Sequence, residues 1–406
     1  MTTLSATTGA VRPGICALIE GRADLLRGPI GVLTGPSGVL PDLTPSAAAL
    51  ARAADVRAYF APEHGLLGAS PEAAGVADGT FAGAPVYSLY GARMAPAPAQ
   101  LAGLAAVVCD YQDIGCRYYT YAWTLVKLME AAAPLGVRVV VCDRPNPLGG
   151  QAVEGPGLDP AHASLVGLHD VPTRHGLTLG ELAALANAER GLGCDLAVVP
   201  CEGWRREQRW DATGLPWAPP SPNMPTHQAN LVYPGTCLAE GANLSVGRGT
   251  AMPFEWVGAP WVDGPALAAA LNRLGLPGVR WRAVAFQPAL APYAGEVCYG
   301  VQPHVTDAAA LRSVLAGVAL LAALRDLHGA AFQISPADAI YADPAQMAAR
   351  GYGADAMGAA HFDRLAGGPG LREALEAGAA PETIASGWAA GEAAFRERRA
   401  RHLRYD

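Results

Sequence analysis

Five short apolar runs, Ile30–Thr34, Val56–Phe60, Ala105–Asp110, Val137–Asp143 and Leu196–Val199, recur along the first half of the chain, and the last three are rich in valine. Each is followed by a polar Gly/Pro turn and then by a helical stretch. Runs of this kind suit strands buried on both faces, as in a parallel sheet covered by helices. Helix starts are marked in between. Thr44-Pro45 sets a cap residue before a proline at the first helical position, and Thr178-x-x-Glu181 is a capping box ahead of Leu182, Leu185 and Ala186. The alternation predicts an α/β fold built on a Rossmann-like, mostly parallel, doubly wound sheet. It does not predict a nucleotide site, because Gly31-Val-Leu-Thr-Gly35-Pro-Ser-Gly38 has the wrong glycine spacing for G-x-G-x-x-G and no Walker A sequence occurs.

From about residue 203 the texture changes to Trp, Pro, Asn and Gly. The stretch Pro216-Trp217-Ala218-Pro219-Pro220-Ser221-Pro222-Asn223-Met224-Pro225 is too proline-dense for a helix interior and fixes an extended path between domains. Beyond it, Val279–Phe286 and Val297–Val305 read as strands, Ala308–Leu327 as a long helix capped by Asp307, and Pro381–Arg401 as a terminal helix. The expected division is a Rossmann-like domain over residues 1–222 and a smaller α+β auxiliary domain over 223–406. No solenoid-length repeat and no long low-complexity tail is present.

Composition narrows the function class. With 406 residues, 51% apolar and 16% charged, the chain can bury a large interior, and 48 Gly with 34 Pro imply turns rather than disorder. A net charge of −7 gives no electrostatic case for nucleic acid or an anionic lipid surface, so a small molecule is the expected partner. Lys127 is the only lysine, and no Gly-rich loop precedes it, which disfavours Schiff-base or phosphate-gripping chemistry. The eight cysteines form no CxxC, and Cys109 and Cys142 lie inside apolar runs, as expected of reduced thiols. No secretory h-region or membrane-spanning run is evident, so a soluble cytoplasmic protein is expected.

Three segments carry reactive side chains at strand ends, where open α/β sheets bind their ligands. Glu63 and His64 follow the run ending at Phe60; Asp110, Gln112, Asp113, Arg117 and Tyr118 follow the next; Asp143, Arg144 and Asn146, with a loop running on to Glu154, follow the third. A carboxyl group in a partly dry cleft can keep its proton at neutral pH and donate it to a leaving oxygen, and Glu63 is the first choice for that role. The same residue could equally cap a helix or pair with an arginine. His64 beside a glycine turn suits orientation of Glu63 or substrate better than proton transfer. Asp113 in Tyr111-Gln112-Asp113-Ile114-Gly115 is either a second acid or a turn former. Tyr118, with Tyr119 and Tyr121, offers a sugar-stacking face; Arg174-His175-Gly176 precedes the capping box and offers an anion site; Asn223, Asn243 and Arg248 stand in Gly- and Pro-rich loops that suit a hydroxyl-rich ligand.

Metal is the rival reading, using His64, Asp113 and His175, but no H-E-x-x-H and no close His pair occurs, and no metal or other cofactor is expected. No G-x-S-x-G elbow supports a serine triad. A non-catalytic ligand-binding protein would share the same rim without needing an acid.

Taken in order along the chain, Ala61-Pro62-Glu63-His64-Gly65, Tyr111-Gln112-Asp113-Ile114-Gly115, Asp143-Arg144-Pro145-Asn146-Pro147, Val153-Glu154-Gly155-Pro156, Arg174-His175-Gly176, Pro220-Ser221-Pro222-Asn223-Met224-Pro225, Tyr233-Pro234-Gly235-Thr236, the stretch from Glu240 to Thr250, and His304-Val305-Thr306-Asp307 resemble the NamZ family of exo-β-N-acetylmuramidases. Relatives often have Thr in place of Ala242. The resemblance implies a Rossmann-like domain joined to an auxiliary domain that closes the active cleft. It also implies release of terminal N-acetylmuramic acid from the non-reducing ends of peptidoglycan fragments, as in cell-wall turnover and recycling. The family glutamate corresponds to Glu63. Well-known members are exported, whereas no export signal is evident here. Glycoside hydrolysis needs an acid at the glycosidic oxygen and a second group to stabilise charge at the anomeric carbon; Glu63 fits the first, and Asp113, Glu154 or the substrate's own acetamido group the second. The lactyl carboxylate calls for a cation, with Arg174, Arg248 and Arg117 as candidates.

Overall fold

The computed structural model describes residues 10–70, 77–91, 93–334 and 361–406. Its first lobe is a seven-stranded sheet of β1 (Pro29–Thr34), β2 (Asp55–Ala61), β3 (Gly79–Phe81), β4 (Ala84–Ser88), β5 (Ala106–Asp110), β6 (Arg138–Cys142) and β7 (Leu196–Val199), in the order β3-β4-β2-β1-β5-β6-β7. All neighbours are parallel except β3 and β4, which form a hairpin at one edge. The valine-rich runs are explained by the two faces they fill. Leu33, Phe60, Val107, Cys109, Val139 and Val141 enter one core, and Ile30, Val32, Val108, Val140 and Cys142 enter a second on the opposite side. Alternate residues of a strand point to opposite faces, so a strand covered on both sides must be apolar throughout.

From β1 the chain builds outward to β2 and β4 on one side and to β5, β6 and β7 on the other, which is a Rossmann-like order with its switch point between β1 and β5. In nucleotide-binding proteins that crevice takes the ligand. Here the chain fills it. Thr34 Oγ1 donates to the Asp110 carbonyl at 2.6 Å, the Gln112 amide donates to Ser37 Oγ at 3.1 Å, and Arg144 clamps Asp110 through Nε at 2.8 Å and a terminal nitrogen at 2.7 Å. Gly38 passes so close that a Cβ there would collide with Thr34 Oγ1 and the Asp110 carbonyl.

The second lobe has an antiparallel sheet of β8 (Val257–Ala259), β9 (Val279–Phe286) and β10 (Cys298–Val305), in the order β8-β10-β9. Helix Ser313–His328 is its core element, with Val314 through Ala322 and Leu324 buried. The stretch Ser313–Ala331 is long and apolar enough to cross a membrane by length and composition, but 56% of its most apolar window is buried inside the fold. It crosses helix His227–Thr236 at Gly235 and Gly317, where a Cβ on either residue would strike the other helix's backbone.

Several boundaries differ from the sequence expectation. The helix expected at Ala308 starts at Ser313, because Asp307 spends its carboxylate on the amides of Ala309 and Ala310 in a separate turn. The terminal helix is two, Pro381–Ser386 and Ala389–Arg399, broken around Gly387. Pro45 lies just outside helix Ser46–Ala53 rather than at its first position. Thr178 caps helix Leu179–Glu189 with the full capping box.

The last helix returns to the first lobe. Arg399 donates to the carbonyls of His175 and Gln151 at 2.7 and 3.0 Å, and Tyr405 donates its hydroxyl to Asp143 at the end of β6 at 2.6 Å.

Candidate active site

β2 delivers its last residue, Ala61, into a turn closed by the Gly65 amide on the Pro62 carbonyl at 3.0 Å. His64 and Gly65 both take left-handed backbone conformations, with φ of 74° and 81°. Such a φ is uncommon for a residue with a Cβ, and it turns Glu63 and His64 into one cleft. The His64 ring is fixed by Nδ1, which donates to the Ser70 carbonyl at 2.8 Å; that bond sets the tautomer and leaves Nε2 as the second polar atom of the ring.

Facing Glu63 is the start of helix Thr120–Ala132. Thr120 Oγ1 donates to Glu63 Oε2 at 2.8 Å, and the Tyr121 hydroxyl lies 3.3 Å from the Glu63 carbonyl while also reaching the Pro220 carbonyl. The proline-dense segment is thereby tied to the same helix end, and its Ser221 and Asn223 reach the cleft. The cleft encloses about 710 Å³, part of it open to solvent.

Aromatic rings run along it as a continuous spine. Tyr119 packs on Tyr121 with centroids 4.8 Å apart and edge-on to Tyr233 at 6.2 Å; Tyr233 meets Phe254 at 4.6 Å; the Arg248 guanidinium sits 5.0 Å from the Phe254 ring centroid. Arg248 Nε also donates to Glu240 Oε1 at 2.6 Å. The spine therefore runs from Tyr121, whose hydroxyl lies beside the Glu63 main chain, to the Arg248 cation.

Of the residues singled out from sequence, Glu63, His64, Tyr118, Tyr119, Asn223 and Arg248 line this cleft. Tyr118 gives its hydroxyl to the Pro234 carbonyl and packs its ring on Tyr233. The other seven are engaged elsewhere. Asp113 is a buried turn former whose Oδ2 accepts the Gly115 amide at 2.7 Å, and burial pushes its carboxyl up to about 7 despite that bond. Glu154 pairs with Arg174 at 3.3 Å and accepts the Leu315 amide at 2.9 Å, which ties the first lobe to the core helix of the second. Arg117 is buried and donates to the carbonyls of Pro156, Val171 and Leu365, and burial lowers its guanidinium to about 10. Asn146 donates to the Leu177 carbonyl and accepts from Leu148, while Asn243 links to Ala331 and Gln333. His175 accepts the Leu177 amide on Nδ1, and burial drives its imidazole down to about 3, so it is neutral. Among the described residues no cluster of three His, Cys, Asp or Glu is placed to hold a metal ion, and His64, Asp113 and His175 form none.

Sequence reasoning missed Thr120, Glu240, Tyr233 and Phe254 as cleft residues. A threonine at a helix start reads as a cap. Glu240 lay within a recognised motif but on a 3-10 turn, Cys237–Gly241, whose direction no spacing reveals.

Comparison with known proteins follows this geometry. The family model described as exo-β-N-acetylmuramidase NamZ, N-terminal, matches residues 30–228, and the C-terminal model matches 231–405. The peptidoglycan β-N-acetylmuramidase NamZ of Bacillus subtilis (strain 168) is 40% identical over 352 residues, covering 86% of this chain and 79% of that protein. Two crystal structures of DUF1343 family proteins from Bacteroides fragilis NCTC 9343 share the fold. One has a TM-score of 0.85 at 32% identity and covers 98% of this chain and 100% of its own. The other has a TM-score of 0.71 at 28% identity, covering 98% and 99%. With both family models matched end to end, the chain belongs to the exo-β-N-acetylmuramidase NamZ family and is a glycoside hydrolase.

Proposed function

We propose that this enzyme removes N-acetylmuramic acid from the non-reducing ends of peptidoglycan fragments, with Glu63 as the acid. One observation carries the reading: a single cleft holds the Glu63 carboxyl, gripped through Oε2, and an arginine at the far end of an aromatic wall. Glu63 gives its proton to the glycosidic oxygen as the bond to the anomeric carbon breaks. The acetamido oxygen of the same sugar closes on that carbon. Water then opens the ring and returns a proton to Glu63. Asp113 and Glu154, weighed from sequence as the second group, are absent from the described cleft lining, and Glu240 is paired with Arg248, which favours the acetamido route. The reaction so written uses substrate and water alone. His64 serves as a positioning group, and Asn223 and Tyr118 as contacts to the sugar. The two domains, divided near residue 222, close over the substrate. All eight cysteines are free and buried, in keeping with the cytoplasmic setting expected from the sequence.

Arg248 is the one arginine among the described lining residues, and we assign it to the lactyl carboxylate, with Glu240 orienting it. A chromogenic β-N-acetylmuraminide should be cleaved and the matching N-acetylglucosaminide much less. Arg248→Gln should shrink that preference by on the order of 30-fold, since a charge-paired contact to the lactyl group is lost. An unchanged ratio of kcat/KM values would remove Arg248 from this role, and a wild-type enzyme inert toward the muraminide would remove the substrate assignment itself.

The stereochemical course tests the second step. Acetamido participation retains configuration, so proton NMR should show the β-anomer forming first. A first-formed α-anomer would instead point to Glu240 as the base for a direct attack by water, the reading its place in the cleft would then support.

A further inference from the structure

We propose that Thr120 is the positioning residue that holds the Glu63 carboxyl in the orientation from which it gives up its proton; this rests on Glu63 being the acid. Thr120 is the first residue of a helix of 13 residues, one position beyond the N-cap, so its hydroxyl is not the one placed to cap the helix. Here the preceding residue, Tyr119, makes no side-chain cap, and Thr120 Oγ1 is spent on Glu63 Oε2, 57 positions away in sequence, at 2.8 Å. A hydroxyl can donate to a carboxylate oxygen or accept from a protonated one, so this contact holds the carboxyl in one orientation in both of its protonation states. The partner is well fixed. Thr120 is only 8% exposed, Thr124 Oγ1 donates to its carbonyl at 3.1 Å, and the hydroxyl of the next residue, Tyr121, donates to the Pro220 carbonyl while lying 3.3 Å from the Glu63 carbonyl.

Consecutive residues of one helix therefore bond the side chain of the acid and pack beside its backbone. That grip matters because the turn bearing Glu63 has two left-handed residues immediately after it and no strand partner of its own. After proton donation the same hydroxyl is a donor to Oε2 of the anion, and the carboxylate waits in the same rotamer for the water step.

The test exploits leaving-group chemistry. Aglycones such as 2,4-dinitrophenolate depart without protonation, whereas a sugar hydroxyl does not, so a defect in acid positioning shows only with the second. Thr120→Val keeps the shape and removes the hydroxyl. It should cost on the order of 30- to 100-fold in kcat/KM, which reads bond cleavage apart from the later water step, on a disaccharide bearing terminal N-acetylmuramic acid, and no more than about threefold in kcat/KM on the 2,4-dinitrophenyl muraminide. Thr120→Ser should restore the disaccharide rate to within about threefold of wild type. Equal losses on both substrates, wild-type activity of the valine variant on the disaccharide, or failure of serine to rescue would each overturn the proposal. If Thr120→Val does not fold, Thr120→Ala carries the same comparison. Glu63→Gln separates the two levels: an active Glu63→Gln enzyme defeats the acid assignment, while an inactive one beside an unimpaired Thr120→Val defeats only the role given to Thr120.

Discussion

Glu63→Gln should lower kcat on a disaccharide substrate by roughly 10²- to 10⁴-fold, with kcat/KM falling in parallel and KM little changed. The substitution is close to isosteric. A glutamine carbonyl oxygen can still accept the Thr120 hydroxyl, so the turn and the cleft are retained, but the amide has no acidic proton to give the leaving oxygen. Because the loss is confined to proton transfer, circular dichroism and the unfolding midpoint should match wild type, and steady-state kinetics at several substrate concentrations separates a lost step from lost binding. A large rise in KM with kcat intact would recast Glu63 as a binding residue, and full activity would pass the acid role to another group.

The largest effect on stability is expected at the filled crevice. Arg144→Ala should destabilise the fold by about 3–5 kcal/mol, because it strands the carboxylate of Asp110, which is fully buried at the end of β5. The two residues form a bidentate pair at 2.8 and 2.7 Å, Ser46 adds a hydroxyl, and a second Arg144 nitrogen bond reaches the Val39 carbonyl at 2.7 Å. Truncating one partner leaves an uncompensated charge, whereas replacing both with apolar groups of similar volume can be nearly neutral. Urea unfolding should therefore show a lower midpoint with little change in slope for Arg144→Ala, and partial recovery in Asp110→Leu/Arg144→Met. A single substitution that leaves the midpoint unmoved would mean that water reaches Asp110 and that the pair is not what closes the crevice.

How far the sequence could be read depended on how completely each residue's environment was local. The five runs became β1, β2, β5, β6 and β7 because a strand covered on both faces must be apolar at every position, a signal that needs no knowledge of neighbours. The hairpin of β3 and β4 gave no such signal. It turns through Ala82 and Gly83, both at positive φ, without the Asn-Gly pair that advertises such a turn, and β3 has three residues. At the site, the strand-end position of Glu63 and His64 was legible because Pro62 and Gly65 flank them. What could not be read was the competition for polar groups at a crowded rim. Asp113, Glu154, Arg117, Arg174, Asn146 and His175 have the residue types of an active site, but the loops there are buried and their amides and carbonyls need partners, so these side chains supply them. Thr120 was hidden for the opposite reason, since its position on a helix looked sufficient to explain it.

The return of residues 399–406 to the first lobe bears on how the protein is made. Tyr405 supplies a hydrogen bond to Asp143, the Arg206 amide donates to the Asp406 main-chain oxygen at 2.8 Å, and Arg399 satisfies the carbonyls of Gln151 and His175 ahead of the capping box. During synthesis the parallel sheet leaves the ribosome long before these residues do. The rim beside β6 must then wait, its acid and carbonyls held by water, until the final helix arrives to dock. The two lobes are separate in architecture but not in time: the first reaches its finished form only when residues 399–406 have been translated.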